Sequence, residues 1–222
     1  GFNLTNDFFL IGDDGNWQKQ GSLNVEITYA SDYSNSPLFD VVQSDFDLDG
    51  KTELAMAFTS TGTNYSFNAN ALVFRRENGG WKQKNMFQAP LTGLPNSIAL
   101  TTGDFNGDIA PEMALSMVEE ELPPQEHSFG NSGHYLKNRV FQLMDNDQIA
   151  EVNVFDTLML TSKDSTYLPP NSSTVIYPYY QLNTASGNID ADPGEELVVG
   201  LLNYGLFGND LPAYSCRGIV SD

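Results

Sequence analysis

Asp45-Phe-Asp-Leu-Asp-Gly-Lys-Thr-Glu-Leu54 is the stretch from which the rest of the chain is read. Side-chain oxygens fall at positions 1, 3, 5 and 9, from Asp45, Asp47, Asp49 and Glu53. Four carboxylates this close repel one another unless a cation lies among them. A hard divalent ion that prefers oxygen ligands, calcium above all, meets that need. Gly50 at position 6 permits the sharp turn that brings the ligands inward. An EF-hand would also require a bidentate Glu at position 12, where this chain has Met56. The loop therefore closes at position 9. The apolar run Leu54-Ala-Met-Ala-Phe58 follows at once and reads as a strand buried on both faces.

The pattern occurs twice more. Asp104, Asn106, Asp108 and Glu112 repeat the spacing and lead into Met113-Ala-Leu-Ser-Met-Val118. Asn188, Asp190, Asp192 and Glu196 repeat it again and lead into Leu197-Val-Val-Gly-Leu-Leu202. A single acidic run is ordinarily a solvated turn. Three copies with one spacing, each followed by an apolar strand, point to a repeated metal loop. Position 7 of each loop, Lys51, Ala110 and Gly194, is counted with its ligand set. Position 6 is Ile109 in loop two and Pro193 in loop three. A β-branched residue in a left-handed conformation costs about 1–2 kcal/mol. Loops two and three are therefore expected to be more distorted and weaker binders than loop one.

These three segments, Asp45–Leu54, Asp104–Met113 and Asn188–Leu197, resemble the FG-GAP/VCBS repeat of integrin-alpha-like β-propellers. In that family the loop binds calcium between the first two strands of a blade. The resemblance implies the same role for the residues just named, with up to three Ca²⁺. Ile109 and Pro193 depart from the family's glycine.

Composition narrows the partners. The chain has 222 residues, 40% hydrophobic and 12% aromatic, enough to bury a full-sized core. Its formal charge is −19, which argues against nucleic acid and anionic membranes as partners. Cys216 is the single cysteine, so no disulfide framework forms within these residues. Its expected role is that of a small buried hydrophobe, with pairing outside these residues as the alternative. No apolar run approaches the length of a transmembrane helix. Gly1-Phe-Asn-Leu lacks the basic and apolar regions of a secretory leader. Asn3, Asn64 and Asn171 lie in glycosylation sequons. Sequons and calcium loops together favour an extracellular or cell-surface setting.

A second repeat alternates with the first. Phe8–Ile11, Gly-Asp-Asp-Gly-Asn and Trp17–Gln20 match Leu72–Arg75, Arg-Glu-Asn-Gly-Gly and Trp81–Lys84, with Trp17 and Trp81 64 residues apart. Each reads as a tight hairpin. A third, weaker copy spans Val140–Val152. Strand, acidic loop, strand and hairpin make a four-stranded meander, the unit of a β-propeller. The expected fold is all-β with very little helix: a half blade over about 7–30, blades over about 38–90 and 97–160, and a half blade over about 178–205. About three blades are too few to close a ring. The expectation is a partial propeller completed by further sequence or another chain, with Ala213–Asp222 an irregular end.

In such a meander the acidic loops and tight hairpins share one face. The longer segments Thr59–Asn70, Glu119–Asn138 and Thr161–Pro178 share the other. These carry Tyr65, Phe67, His127, His134, Tyr135, Tyr167 and Tyr177, rings suited to protein or glycan recognition, or else to packing over the blade tops. His127 and His134 match no zinc spacing and are expected to be solvated loop residues. Neither a nucleophile elbow nor a P-loop is present. The leading expectation is a calcium-stabilised extracellular propeller that binds a protein or glycan in adhesion. A structural scaffold of a surface assembly or toxin shell is the alternative, and a propeller-based enzyme a lesser one.

Overall fold

The computed structural model describes residues 2–11, 16–27, 38–61, 66–78, 80–120, 134–144, 148–160, 179–190, 192–205 and 213–221. The regular elements among them are strands: β1 (Phe2–Ile11), β2 (Trp17–Ile27), β3 (Phe39–Ser44), β4 (Glu53–Thr61), β5 (Phe67–Glu77), β6 (Gly80–Leu91) and β7 (Leu94–Gly103). The later strands are β8 (Glu112–Glu120), β9 (His134–Leu143), β10 (Ile149–Leu160), β11 (Tyr179–Gly187), β12 (Glu196–Gly205) and β13 (Ala213–Ser221). They form four antiparallel sheets in chain order: A (β1-β2), B (β3-β4-β5-β6), C (β7-β8-β9-β10) and D (β11-β12-β13). B and C are four-stranded meanders. No closed ring of sheets is present among the described residues.

The three apolar runs are strands with a paired neighbour on each side, β4, β8 and β12. Alternate side chains of a strand point to opposite faces, so one apolar run supplies two interfaces. On β4, Ala55 and Ala57 face sheet C, where Met113, Leu115, Met117 and Phe141 meet them. Leu54, Met56 and Phe58 face the other way, toward Val25 of sheet A. On β8, Ala114 and Val118 turn from sheet B to sheet D and pack with Leu182, Leu197, Val199 and Leu201. The central strands of sheets B and C are thus buried on both faces, and the core is a series of layers between sheets.

The first strands of successive sheets, β3, β7 and β11, run beside one another. They are sheet edges, whose unpaired backbone groups need partners. Neighbouring sheets supply some of these. The Leu100 N–H of β7 donates to Asp40 Oδ2 of β3 at 2.8 Å. The Leu182 N–H of β11 donates to Ser97 Oγ of β7 at 3.1 Å, and Ser186 Oγ donates to the Thr102 carbonyl at 2.7 Å. Pro95, which has no N–H to offer, lies on the edge strand β7 beside an irregularity in its register.

Register gives each sheet two ends. Ser44–Glu53, Gly103–Glu112 and Gly187–Glu196 pairs mark the end that carries the acidic loops. Thr61, Glu120, Leu160 and Tyr179 lie at the other end. The central parts of the expected long segments, 62–65, 121–133 and 161–178, are outside the described residues, as are Asn64, Asn171, His127, Tyr65, Tyr167 and Tyr177. Asn3 is on β1 and Cys216 on β13.

Three expectations change. Ala213–Ser221 is not irregular but a strand, paired with β12 along its whole length from Ala213–Gly205 to Ser221–Leu197. The segments expected as long loops are shorter, because Phe67–Asn70, Glu119, Glu120 and His134–Asn138 belong to strands. Phe67 is buried in β5, a packing role. His134 is not solvated. It is 6% exposed at the start of β9, with its ring centroid 5.0 Å from that of Tyr180.

The same end holds a buried carboxylate. Glu119 Oε2 accepts hydrogen bonds from the Thr92 N–H (3.1 Å), Thr92 Oγ1 (3.0 Å) and the Gly93 N–H (3.2 Å), and Lys137 Nζ lies 3.2 Å away. Thr92 and Gly93 connect sheet B to sheet C, so Glu119 pins that crossing.

Candidate metal centres in three acidic loops

The loops join β3 to β4, β7 to β8 and β11 to β12, and one hydrogen-bonding scheme recurs in them. The position-2 N–H donates to the closing Glu: Phe46 to Glu53 Oε2 (3.1 Å), Phe105 to Glu112 Oε2 (2.8 Å) and Ile189 to Glu196 Oε2 (2.6 Å). The position-5 N–H donates to position 3: Asp49 to Asp47 Oδ1 (3.2 Å), Asp108 to Asn106 Oδ1 (2.9 Å) and Asp192 to Asp190 Oδ1 (3.0 Å). The position-7 N–H donates to position 5: Lys51 to Asp49 Oδ1 (2.9 Å), Ala110 to Asp108 Oδ1 (2.9 Å) and Gly194 to Asp192 Oδ1 (3.0 Å). Alternate side chains thus hold the backbone in a coil, a local preference of Asx residues. The position-6 N–H reaches the position-1 carboxylate in loops one and two, Gly50 to Asp45 Oδ2 and Ile109 to Asp104 Oδ2, both 2.9 Å. Pro193 has no N–H, so loop three lacks this link.

Backbone conformation bears directly on the expectation about position 6. Ile109 adopts φ 82°, close to the 81° of Gly50, so loop two keeps the turn and carries the strain of a left-handed β-branched residue. Position 4 shows the reverse. Leu48 is left-handed at φ 57°, and its counterpart Gly107 at φ 74°. Loops one and two therefore each pair one left-handed glycine with one strained aliphatic residue, and both Leu48 and Ile109 are exposed.

The loops are neighbours. Phe46, Asp47 and Leu48 of loop one and Asp108 and Ala110 of loop two line one open cleft. The Glu195 N–H donates to the Asp104 carbonyl at 2.7 Å, tying loop three to loop two. A Cβ on Gly103 would lie 2.7 Å from Ser186 Cβ, so only glycine allows this approach.

Carboxylate oxygens of Asp45, Asp47 and Asp49 come within 4.8 Å of one another, as do those of Asp190, Asp192 and Glu196. Loop two forms no such triad among the described residues. Asp45 Oδ1 in loop one and Glu112 Oε1 in loop two are buried with no hydrogen-bond partner. Buried oxygens with spare lone pairs, in an all-oxygen donor set, fit a hard divalent cation. Asn188 is the exception: its Nδ2 donates to the Asp192 and Gly194 carbonyls, so a cation there would require the amide to turn over.

Two residues outside the sequence pattern touch the loops. Arg75 on β5 bonds through Nη2 to Asp47 Oδ2, and through Nε to Glu53 Oε1 at 3.4 Å. Gln142 on β9 donates to Asp108 Oδ2 at 3.1 Å. Lys51 Nζ also lies 3.1 Å from Asp49 Oδ2 and lowers its pKa. Burial raises the Glu53 pKa, with the Asp47 charge adding to the rise and Arg75 opposing it. Burial pushes Glu112 up to about 7, helped by Asp108 and Asp104.

Glu112 gives a pH prediction for chelator-treated protein. Its folded pKa of about 7 exceeds the ordinary 4.5, so the folded state holds the proton more tightly. That stabilisation is full below 4.5 and is lost as pH rises through 7. Unfolding by denaturant in chelator should show stability rising between pH 8 and pH 7, and Glu112→Gln should flatten the rise. His134 acts in the opposite sense, because burial lowers its pKa and stability falls only below about 6.5. Wild-type stability that is flat between pH 8 and pH 7 would contradict the assignment.

Comparison with protein-family models, curated proteins and solved structures gave no match for this chain.

Proposed function

We propose that the chain is part of a calcium-stabilised extracellular β-propeller of the FG-GAP/VCBS kind, binding a protein or glycan on the face away from the acidic loops. The observation that carries this reading is the recurrence of one hydrogen-bonding scheme in three loops at the same end of successive sheets. Such recurrence in an acidic loop is economically explained by one bound species, and oxygen-only donors select calcium over softer metals. Calcium would be held by Asp45, Asp47, Asp49 and Glu53 in loop one. Asp104, Asn106, Asp108 and Glu112 would hold it in loop two, and Asn188, Asp190, Asp192 and Glu196 in loop three. The position-7 residues Lys51, Ala110 and Gly194 belong to the same sets. Bound calcium would supply charge neutralisation; the chain's own part is to fix the oxygens through its backbone N–H groups.

Calorimetric titration with calcium, and with magnesium as control, tests the reading. Up to three ions should bind, with dissociation constants in the range of about 10⁻⁵ to 10⁻³ M and a preference for calcium. The absence of saturable calcium binding at millimolar concentration would overturn it.

A further inference from the structure

We propose that Arg75 is a tethered counter-cation of loop one, competing with the divalent ion for Asp47 and Glu53 and so setting the calcium concentration at which that loop fills. The inference rests on the calcium reading of the loops. One step beyond the Leu54–Phe74 pair of β4 and β5 stand Glu53 and Arg75. One step beyond the Met113–Phe141 pair of β8 and β9 stand Glu112 and Gln142. The two positions are equivalent, yet one bears a cation and the other a neutral amide.

The consequences differ loop by loop. The guanidinium bonds to two loop-one carboxylates, Asp47 and Glu53, and the Lys51 ammonium to a third, Asp49. Only Asp45 Oδ1 is left buried without a partner. In loop two, Gln142 donates to Asp108 but brings no charge, and Glu112 Oε1 is left without a partner. A planar guanidinium presents donors in a fixed fork that matches carboxylates. It holds carboxylate oxygens that a metal would draw on, and its positive charge repels a divalent ion placed among them. A competing state populated nine-tenths of the time weakens apparent affinity about tenfold. Arg75 thereby keeps loop one folded at low calcium and delays its filling.

The experiment uses the whole chain and the substitution Arg75→Gln, which installs the residue loop two already carries. Gly50, Gly107 and Gly194 place one backbone amide in each loop, so an amide-resolved NMR titration with calcium reads the loops separately. The Gly50 midpoint should fall at least about tenfold in Arg75→Gln, while the Gly107 midpoint stays put. In chelator, Arg75→Gln should melt below wild type, and that deficit should vanish in saturating calcium. Arg75→Lys, which keeps the charge and loses the fork, should give an intermediate midpoint. An unmoved or higher Gly50 midpoint in Arg75→Gln overturns the proposal while leaving calcium binding intact. A Gly50 amide that ignores calcium in both proteins overturns the calcium reading of loop one together with the competition.

Discussion

Chelating calcium is expected to lower the melting temperature by about 5–10 °C for each site emptied. A ligand that binds only the native state stabilises it by RT ln(1 + [Ca²⁺]/Kd), about 2.7 kcal/mol at a hundredfold excess over Kd. In a chain of this size about 1 kcal/mol corresponds to 2–4 °C. The cost is felt in the folded state, where Asp45, Asp47 and Asp49 are held within 4.8 Å. Differential scanning calorimetry with calcium and with chelator, at fixed ionic strength, makes the measurement. The calcium-dependent part should shrink in Asp49→Ala and in Asp192→Ala. Charge count alone ranks loop one first. The Arg75 guanidinium makes loop one the less dependent, so the larger loss is expected for Asp192→Ala. An unchanged melting temperature on chelation would remove metal from the account.

Phe141→Ala should cost about 3–5 kcal/mol, the range for an aromatic ring deleted from a closed core. Phe141 is fully buried on β9 and meets Phe87 of β6 with ring centroids 4.5 Å apart. It belongs to the cluster in which Ala55, Ala57 and Val73 of sheet B meet Met113, Leu115 and Met117 of sheet C. Deleting the ring leaves a cavity lined by Phe87 and this cluster, which Met113 and Met117 can fill only in part. Val154→Ala, on the exposed part of β10, should be nearly neutral by contrast. Urea midpoints for the two variants decide the matter, and a loss under about 1 kcal/mol in Phe141→Ala would show that the sheets are not joined through this ring.

The acidic loops were legible because everything that shapes them is local. Asp45, Asp47, Asp49 and Glu53 bind N–H groups only a few residues away, so spacing along the chain is spacing in the coil. The apolar runs after them were legible for a similar reason, since a strand buried on both faces has no polar alternation. Arg75 was hidden because its place depends on the register of β5 against β4, and Gln142 likewise on β9 against β8. Once Leu54–Phe74 pairing is known, Arg75 follows. His134 was hidden differently: the Asn131-Ser-Gly133 run before it reads as a loop, whereas its ring packs beside that of Tyr180, far along the chain. Ile109 carries the strain expected of a β-branched residue, and loop two, unlike loops one and three, brings no three carboxylates together among the described residues. The Asp104 carboxylate holds the Ile109 N–H, and the coil outweighs the torsional cost.

The sharing of one apolar run between two sheet interfaces has a consequence for how the protein is made. Sheet B can pair its own strands as soon as β6 has left the ribosome. Its face bearing Ala55, Ala57 and Val73 is not fully covered until Phe141 arrives, 50 residues after Leu91 ends β6. At about 5–20 residues per second that wait is roughly 2.5–10 s. Throughout it a nascent chain offers a flat apolar sheet to whatever is near. A pause in translation between β6 and β9 would lengthen the exposure, and a chaperone acting on this chain would find its natural client in that interval.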